Sequence, residues 1–112
     1  LETTIENQLE TNIDGRFVLK VVWLDKNVAL AVDYVISKGI SPLTPYYFWP
    51  RTDAWQELKD ELDTKTWITE TEKIELLNQA TEVINFWQEN AGKTTMFQAQ
   101  EKFPAVVFSG TN

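Results

Sequence analysis

Phe17-Val-Leu-Lys-Val-Val-Trp-Leu-Asp-Lys-Asn-Val-Ala-Leu-Ala-Val-Asp-Tyr-Val-Ile36 is the stretch on which the fold turns. Phe17, Leu19, Val21 and Trp23 fall on one side of a period-2 pattern of β-branched and aromatic residues, which predicts a strand over 16–24. Asp25, Lys26 and Asn27 then supply turn chemistry. Val28, Leu30, Val32, Tyr34 and Ile36 alternate with Ala29, Ala31, Asp33 and Val35, so residues 28–36 read as the second arm of a hairpin. The same residues also fit a helix, since Val28, Ala31, Val32, Val35 and Ile36 recur at helical spacing and Gly39 could stop it. The strand reading is preferred because a three-residue turn and β-branched spacing point the same way.

Working outward, Pro42 and Pro45 interrupt the chain, and the aromatic run before Pro50 predicts a short edge strand over 45–50, where proline is tolerated. The period then changes. Thr52 or Asp53 can cap a helix over 53–63 with Trp55, Leu58 and Leu62 on one stripe. Thr69-Glu-Thr-Glu72 is a capping box that opens a long helix over 70–91, with Gly92 placed to end it. Leu76, Leu77, Ala80, Val83, Ile84 and Trp87 form its apolar stripe, and Trp23 and Trp87 are expected to be buried between sheet and helix. The predicted fold class is α+β: a two-layer sandwich in which a three-stranded antiparallel sheet (16–24, 28–36, 45–50) is followed by two helices (53–63, 70–91) on one face. Residues 1–15 read as a polar N-terminal extension, 16–92 as a single domain, and 93–112 as a C-terminal tail whose one apolar cluster, Val106-Val-Phe108 after Pro104, reads either as an added strand or as a partner-bound segment. Leu1 at the first position suggests a processed or trimmed start.

Composition narrows the chemistry. The 112 residues include no Cys and no His, which removes disulfides, thiolate and imidazole metal sites, and cysteine or histidine catalysis. The four glycines are too dispersed for a dinucleotide fingerprint or a phosphate loop, no Asp-x-Asp cation loop is present, and titratable groups do not cluster in apolar sequence. No catalytic residue, metal, cofactor or small-molecule substrate is therefore expected. No apolar run reaches membrane-spanning length, so the chain reads as soluble.

The net charge of −7 is unevenly laid out. Residues 1–15 carry four acids and no base, and residues 57–92 carry nine acids against three bases. Glu57, Asp60, Glu61 and Asp63 read as the solvated side of a helix. Residues 16–56 are mildly basic, with Arg16, Lys20, Lys26, Lys38 and Arg51, and Trp49 ends an aromatic run that could stack on bases. With the helices on the Phe17/Leu19/Val21/Trp23 side, the opposite sheet face should show Arg16, Val18, Lys20, Val22, Ala29, Ala31, Asp33 and Val35. That mixture is too apolar for an ordinary solvated face and suggests docking, unless the first or last segment folds over it.

Several ordered blocks carry a resemblance: the run from Phe17 to Val28, then Ser41-Pro-Leu-Thr44, Phe48-Trp-Pro-Arg51 with Asp53-Ala-Trp55, and Lys73 to Asn85 with Trp87. Together, over about residues 16–90, they resemble the plastid-specific 30S ribosomal protein 3 family of chloroplasts and cyanobacteria. The resemblance implies a non-enzymatic α+β component of the small ribosomal subunit that binds ribosomal RNA and neighbouring ribosomal proteins, in the chloroplast stroma or the cyanobacterial cytoplasm. RNA or partner contact would then fall to Arg16, Lys20, Lys26, Lys38, Trp49 and Arg51. The alternative is a small stromal protein-binding adaptor that uses the same sheet face without touching RNA.

Overall fold

The computed structural model describes residues 16–90 and 93–110. Within them the hairpin forms as predicted: β1 (Phe17–Trp23) pairs antiparallel with β2 (Val28–Ile36), Leu19 opposite Val32 and Trp23 opposite Val28. The helical reading of 28–36 is thereby excluded. Leu24 N–H donates to the Asn27 carbonyl at 3.1 Å and closes the three-residue turn.

The sheet is larger than the three antiparallel strands expected. The outer edge of β2 is shared by two short strands: β3 (Gly39–Pro42) pairs with its C-terminal half and β4 (Tyr47–Trp49) with its N-terminal half. Thr44 bridges the gap between them. Its hydroxyl accepts the Val32 N–H at 3.0 Å, and the Leu43 and Thr44 amides both donate to the Val32 carbonyl. The buried hydroxyl thus satisfies the β2 amide that neither short strand reaches. A single edge strand over 45–50 was the expectation; the observed β4 is shorter, and β3 ends on Pro42, the residue that read as a break in the chain.

Of the two readings of the C-terminal segment, the added strand is the one that forms, with a helix before it. Residues 93–110 contribute α3 (Met96–Lys102) and β5 (Val107–Gly110), and β5 pairs parallel with β1, Val21 opposite Phe108. The sheet is therefore mixed, in the order β3-β2-β1-β5 with β4 also on β2. Thr95 and Gln98 form a reciprocal capping box at the start of α3. Gly110 carries φ +120, and a Cβ there would collide with the Trp23 backbone, so only glycine lets β5 close against β1 at that point.

The helices α1 (Ala54–Asp63) and α2 (Glu70–Asn90) match their predicted spans to within a residue. Asp53 caps α1 by accepting the Gln56 N–H at 3.1 Å, and the Thr69/Glu72 box caps α2. Gly92, the expected stop, and the polar extension over 1–15 lie outside the described residues. All three helices contribute to one core with the inward sheet face: Leu58 and Leu62 of α1, Ala80 and Val83 of α2 and Ala99 of α3 join Leu19, Val21, Trp23, Leu30 and Val32. Trp23 is buried as expected. Trp87 is only partly so, because its indole N–H reaches out to the Leu24 carbonyl at 3.0 Å at the end of the sheet.

Candidate docking face

The sheet's outward face is fixed by the strand register. Val18, Lys20 and Val22 of β1 stand beside Asp33, Ala31 and Ala29 of β2, and these are flanked by Ile40 and Phe48 on one edge and Val107 on the other. The expectation of an open Ala29, Ala31 and Asp33 is corrected: the alanines are fully buried and Asp33 is 9% exposed. Lys20 stands opposite Ala31, its ammonium reaches Asp33 Oδ1 at 2.6 Å, and it lies 5.2 Å from the centre of the Tyr46 ring. The contact with Asp33 is an ion pair without hydrogen-bond alignment. Val35, Ile40, Tyr46 and Val107 remain exposed around this neutralised centre. Four exposed apolar side chains around one ion pair make this face more apolar than an ordinary solvated one.

Arg16 does not belong to this face, contrary to expectation. Its guanidinium turns to the helical side and holds the Glu72 carboxylate through two bonds of 2.7 Å, while lying 5.0 Å from the Phe17 ring centre and 5.9 Å from that of Trp67. Phe17, Tyr34 and Trp67 form the aromatic cluster beneath it. Hydrogen bonding from Arg16, assisted by the Thr69 amide and hydroxyl, holds Glu72 down to about 2 against an opposing desolvation cost. Arg16 is thus a clamp between β1 and the start of α2, which sequence spacing cannot reveal because the partners lie 56 positions apart.

The remaining predicted site residues do not gather into one patch. Lys26 sits in the β1–β2 turn and Lys38 in the β2–β3 turn, at opposite ends of β2, roughly 26 Å apart at strand rise. Arg51 follows β4 at the Lys26 end and is exposed, with its guanidinium 5.9 Å from the Phe48 ring centre. Trp49 faces the helical side and donates to Gln88 Oε1 at 2.8 Å. Lys26, Lys38 and Arg51 are the members of the set whose charges meet no carboxylate among the described residues. Sequence reading missed Ile40 and Val107 because it did not foresee β3 and, though it allowed a strand around 106–108, gave that strand no neighbour in the sheet. Helices α1 and α2 with the loop between them are acidic, and their three lysines are all paired, Lys59 and Lys73 with Asp63 and Lys65 with Glu61, while Lys102 of α3 stands over the Phe86 and Phe103 rings. Among the described residues no group of carboxylates is arranged to hold a metal, and no helix is long and apolar enough to cross a membrane.

Comparison with known proteins places this geometry. The family model described as "Plastid and cyanobacterial ribosomal protein (PSRP-3 / Ycf65)" matches residues 43–90, from the Thr44 bridge to the end of α2. The chain is 55% identical over 98 residues to "Small ribosomal subunit protein cS23" of Gracilaria tenuistipitata var. liui, covering 88% of this chain and 99% of that protein. It is 55% identical over 94 residues to the protein of the same name from Mesostigma viride, covering 84% and 76% respectively. The "Probable small ribosomal subunit protein cS23" of Synechococcus sp. (strain JA-2-3B'a(2-13)) is 50% identical over 97 residues, covering 87% of this chain and 98% of that protein.

Proposed function

Because the chain belongs to the plastid and cyanobacterial ribosomal protein (PSRP-3 / Ycf65) family, we propose that it is a structural component of the small subunit of a plastid or cyanobacterial ribosome. Near-complete coverage of relatives at about half identity carries this reading, since the match takes in most of the chain and not a single motif. The role is structural, not enzymatic, and its place of work is the chloroplast stroma or the cyanobacterial cytoplasm.

The geometry supports a division of labour. The outward sheet face, with its exposed Val35, Ile40, Tyr46 and Val107, is the surface that buries against a neighbour. Ribosomal RNA is met at the sheet ends by Lys26, Lys38 and Arg51, which meet no carboxylate among the described residues, while Arg16 and Lys20 are engaged by Glu72 and Asp33 and contribute mainly to shape. The acidic helical layer turns away from phosphate. Sedimentation of a tagged copy through sucrose gradients tests the reading: it should travel with small subunits at low salt and largely remain there at high salt. Recovery only from ribosome-free fractions would overturn it and favour a free adaptor.

A further inference from the structure

We propose that the hollow between Trp49 and Trp55 receives an arginine from a basic protein segment laid across α2, giving the acidic helical layer a cationic protein partner. The proposal rests on the small-subunit reading only for the presence of basic neighbours; the hollow itself is a property of this chain.

Trp49 ends β4 and Trp55 lies in the first turn of α1, and between them a space of about 180 Å³ is completed by Thr81, Ile84, Asn85 and Gln88. Those four recur at i, i+3, i+4 and i+7, so they share one face of α2. Both indole N–H groups are engaged within the chain: Trp49 donates to Gln88 Oε1 at 2.8 Å and Trp55 to the Leu77 carbonyl at 3.2 Å. The Thr81 hydroxyl donates to the same Leu77 carbonyl at 3.0 Å. What the hollow offers a visitor is therefore ring surface, the Ile84 side chain and the Asn85 amide, which has no hydrogen-bond partner among the described residues.

Ring surface without a free donor attracts a cation, and tryptophan does so most strongly. Four cations of this chain already stand over aromatic rings elsewhere: Arg16 over Phe17 and Trp67, Lys20 over Tyr46, Arg51 over Phe48, and Lys102 over Phe86 and Phe103. Among the described residues, none stands over Trp49 or Trp55.

The charge around the hollow selects the same visitor. Glu82 and Glu89 flank Asn85 on α2, roughly 10 Å apart along the helix axis. Both are exposed and in no ion pair among the described residues. They also line the neighbouring hollow with Lys102, which leaves one cation to two carboxylates. A guanidinium is planar, stacks on indole and can donate to the Asn85 side-chain oxygen, while adjacent basic residues meet Glu82 and Glu89. A nucleobase could stack there too, but its phosphates would run past those carboxylates and be repelled. The observations favour protein over RNA.

The test is a titration of the full chain, with the indole N–H signals followed by nuclear magnetic resonance and assigned through Trp49→Phe and Trp55→Phe. The probes are a capped heptapeptide of alternating glycine and arginine, its citrulline counterpart, and a uridine octanucleotide. The arginine peptide should shift the Trp49 and Trp55 signals, with the citrulline peptide binding about ten-fold more weakly for want of charge. Asn85→Lys, which places the chain's own cation at the mouth, and Glu82→Gln with Glu89→Gln should each weaken binding by a similar factor. All these helix positions are exposed, so the variants should fold. Equal binding of the citrulline peptide, a response to the oligonucleotide alone, or no response to any probe would each overturn the proposal. Sedimentation separates the two readings. A wild-type chain that travels with small subunits but ignores the peptide refutes the arginine site alone; one that binds the peptide but never sediments refutes the ribosomal role alone.

Discussion

Replacing Glu72 by glutamine removes the charge at the meeting point of β1 and α2 while keeping its size and its ability to cap. In the native chain that carboxylate accepts two bonds of 2.7 Å from Arg16, and bonds of 2.9 Å from both the Thr69 amide and the Thr69 hydroxyl. These hold it at about 2 against an ordinary 4.5, which taken at face value corresponds to roughly 3 kcal/mol. Arg16 is 36% exposed, so solvent screens the pair and the expected loss for Glu72→Gln at pH 7 falls to about 1–2 kcal/mol. That is roughly 5–10 °C in Tm for a domain of this size. A carboxylate whose folded pKa is depressed contributes stability above its unfolded pKa, and that contribution fades as pH falls from 4.5 towards 2. Urea titrations of both proteins at pH 7 and pH 3 should therefore show a gap at pH 7 that shrinks to less than half at pH 3. A gap of the same size at both pH values, or none at pH 7, would refute the clamp.

Three further outcomes are expected. Phe108→Ala should cost about 3–5 kcal/mol in a denaturant titration, because Phe108 is 9% exposed and its ring lies 5.8 Å from Trp23 and 6.4 Å from Phe103; a cost under about 1 kcal/mol would detach β5 from the cooperative unit. Ile40→Ser with Val107→Ser should leave stability within about 0.5 kcal/mol per site, yet lower incorporation into small subunits when reconstituted in competition with wild type, the two being distinguished by mass spectrometry. Equal incorporation would mean that the outward face is not buried there. Finally, with Lys26, Lys38 and Arg51 as the contacting bases, the RNA-dependent part of binding should show a log–log salt slope no steeper than about −3; a steeper slope measured over a range of potassium concentrations would bring Arg16 and Lys20 back among the phosphate contacts.

Features that depend on near neighbours were legible along the chain. Alternation from Phe17 to Ile36 with a turn at Asp25–Asn27 specified the hairpin and the face that meets the helices, since side-chain direction in a strand follows from position alone. Asp53 and the Thr69/Glu72 box marked where α1 and α2 begin, because caps act within one helical turn. The lack of Cys and His ruled out whole classes of chemistry before any fold was known. Features that depend on distant residues emerged only in the folded chain. The signal for α3 was present in Thr95 and Gln98, but Val107–Gly110 became a strand only because β1 supplied a parallel edge, and parallel pairing leaves no local mark comparable to a hairpin turn. Arg16 and Lys20 looked like free bases for the same reason. The carboxylates that engage them arrive from 56 and 13 positions away, and only the folded chain brings Glu72 and Asp33 within reach.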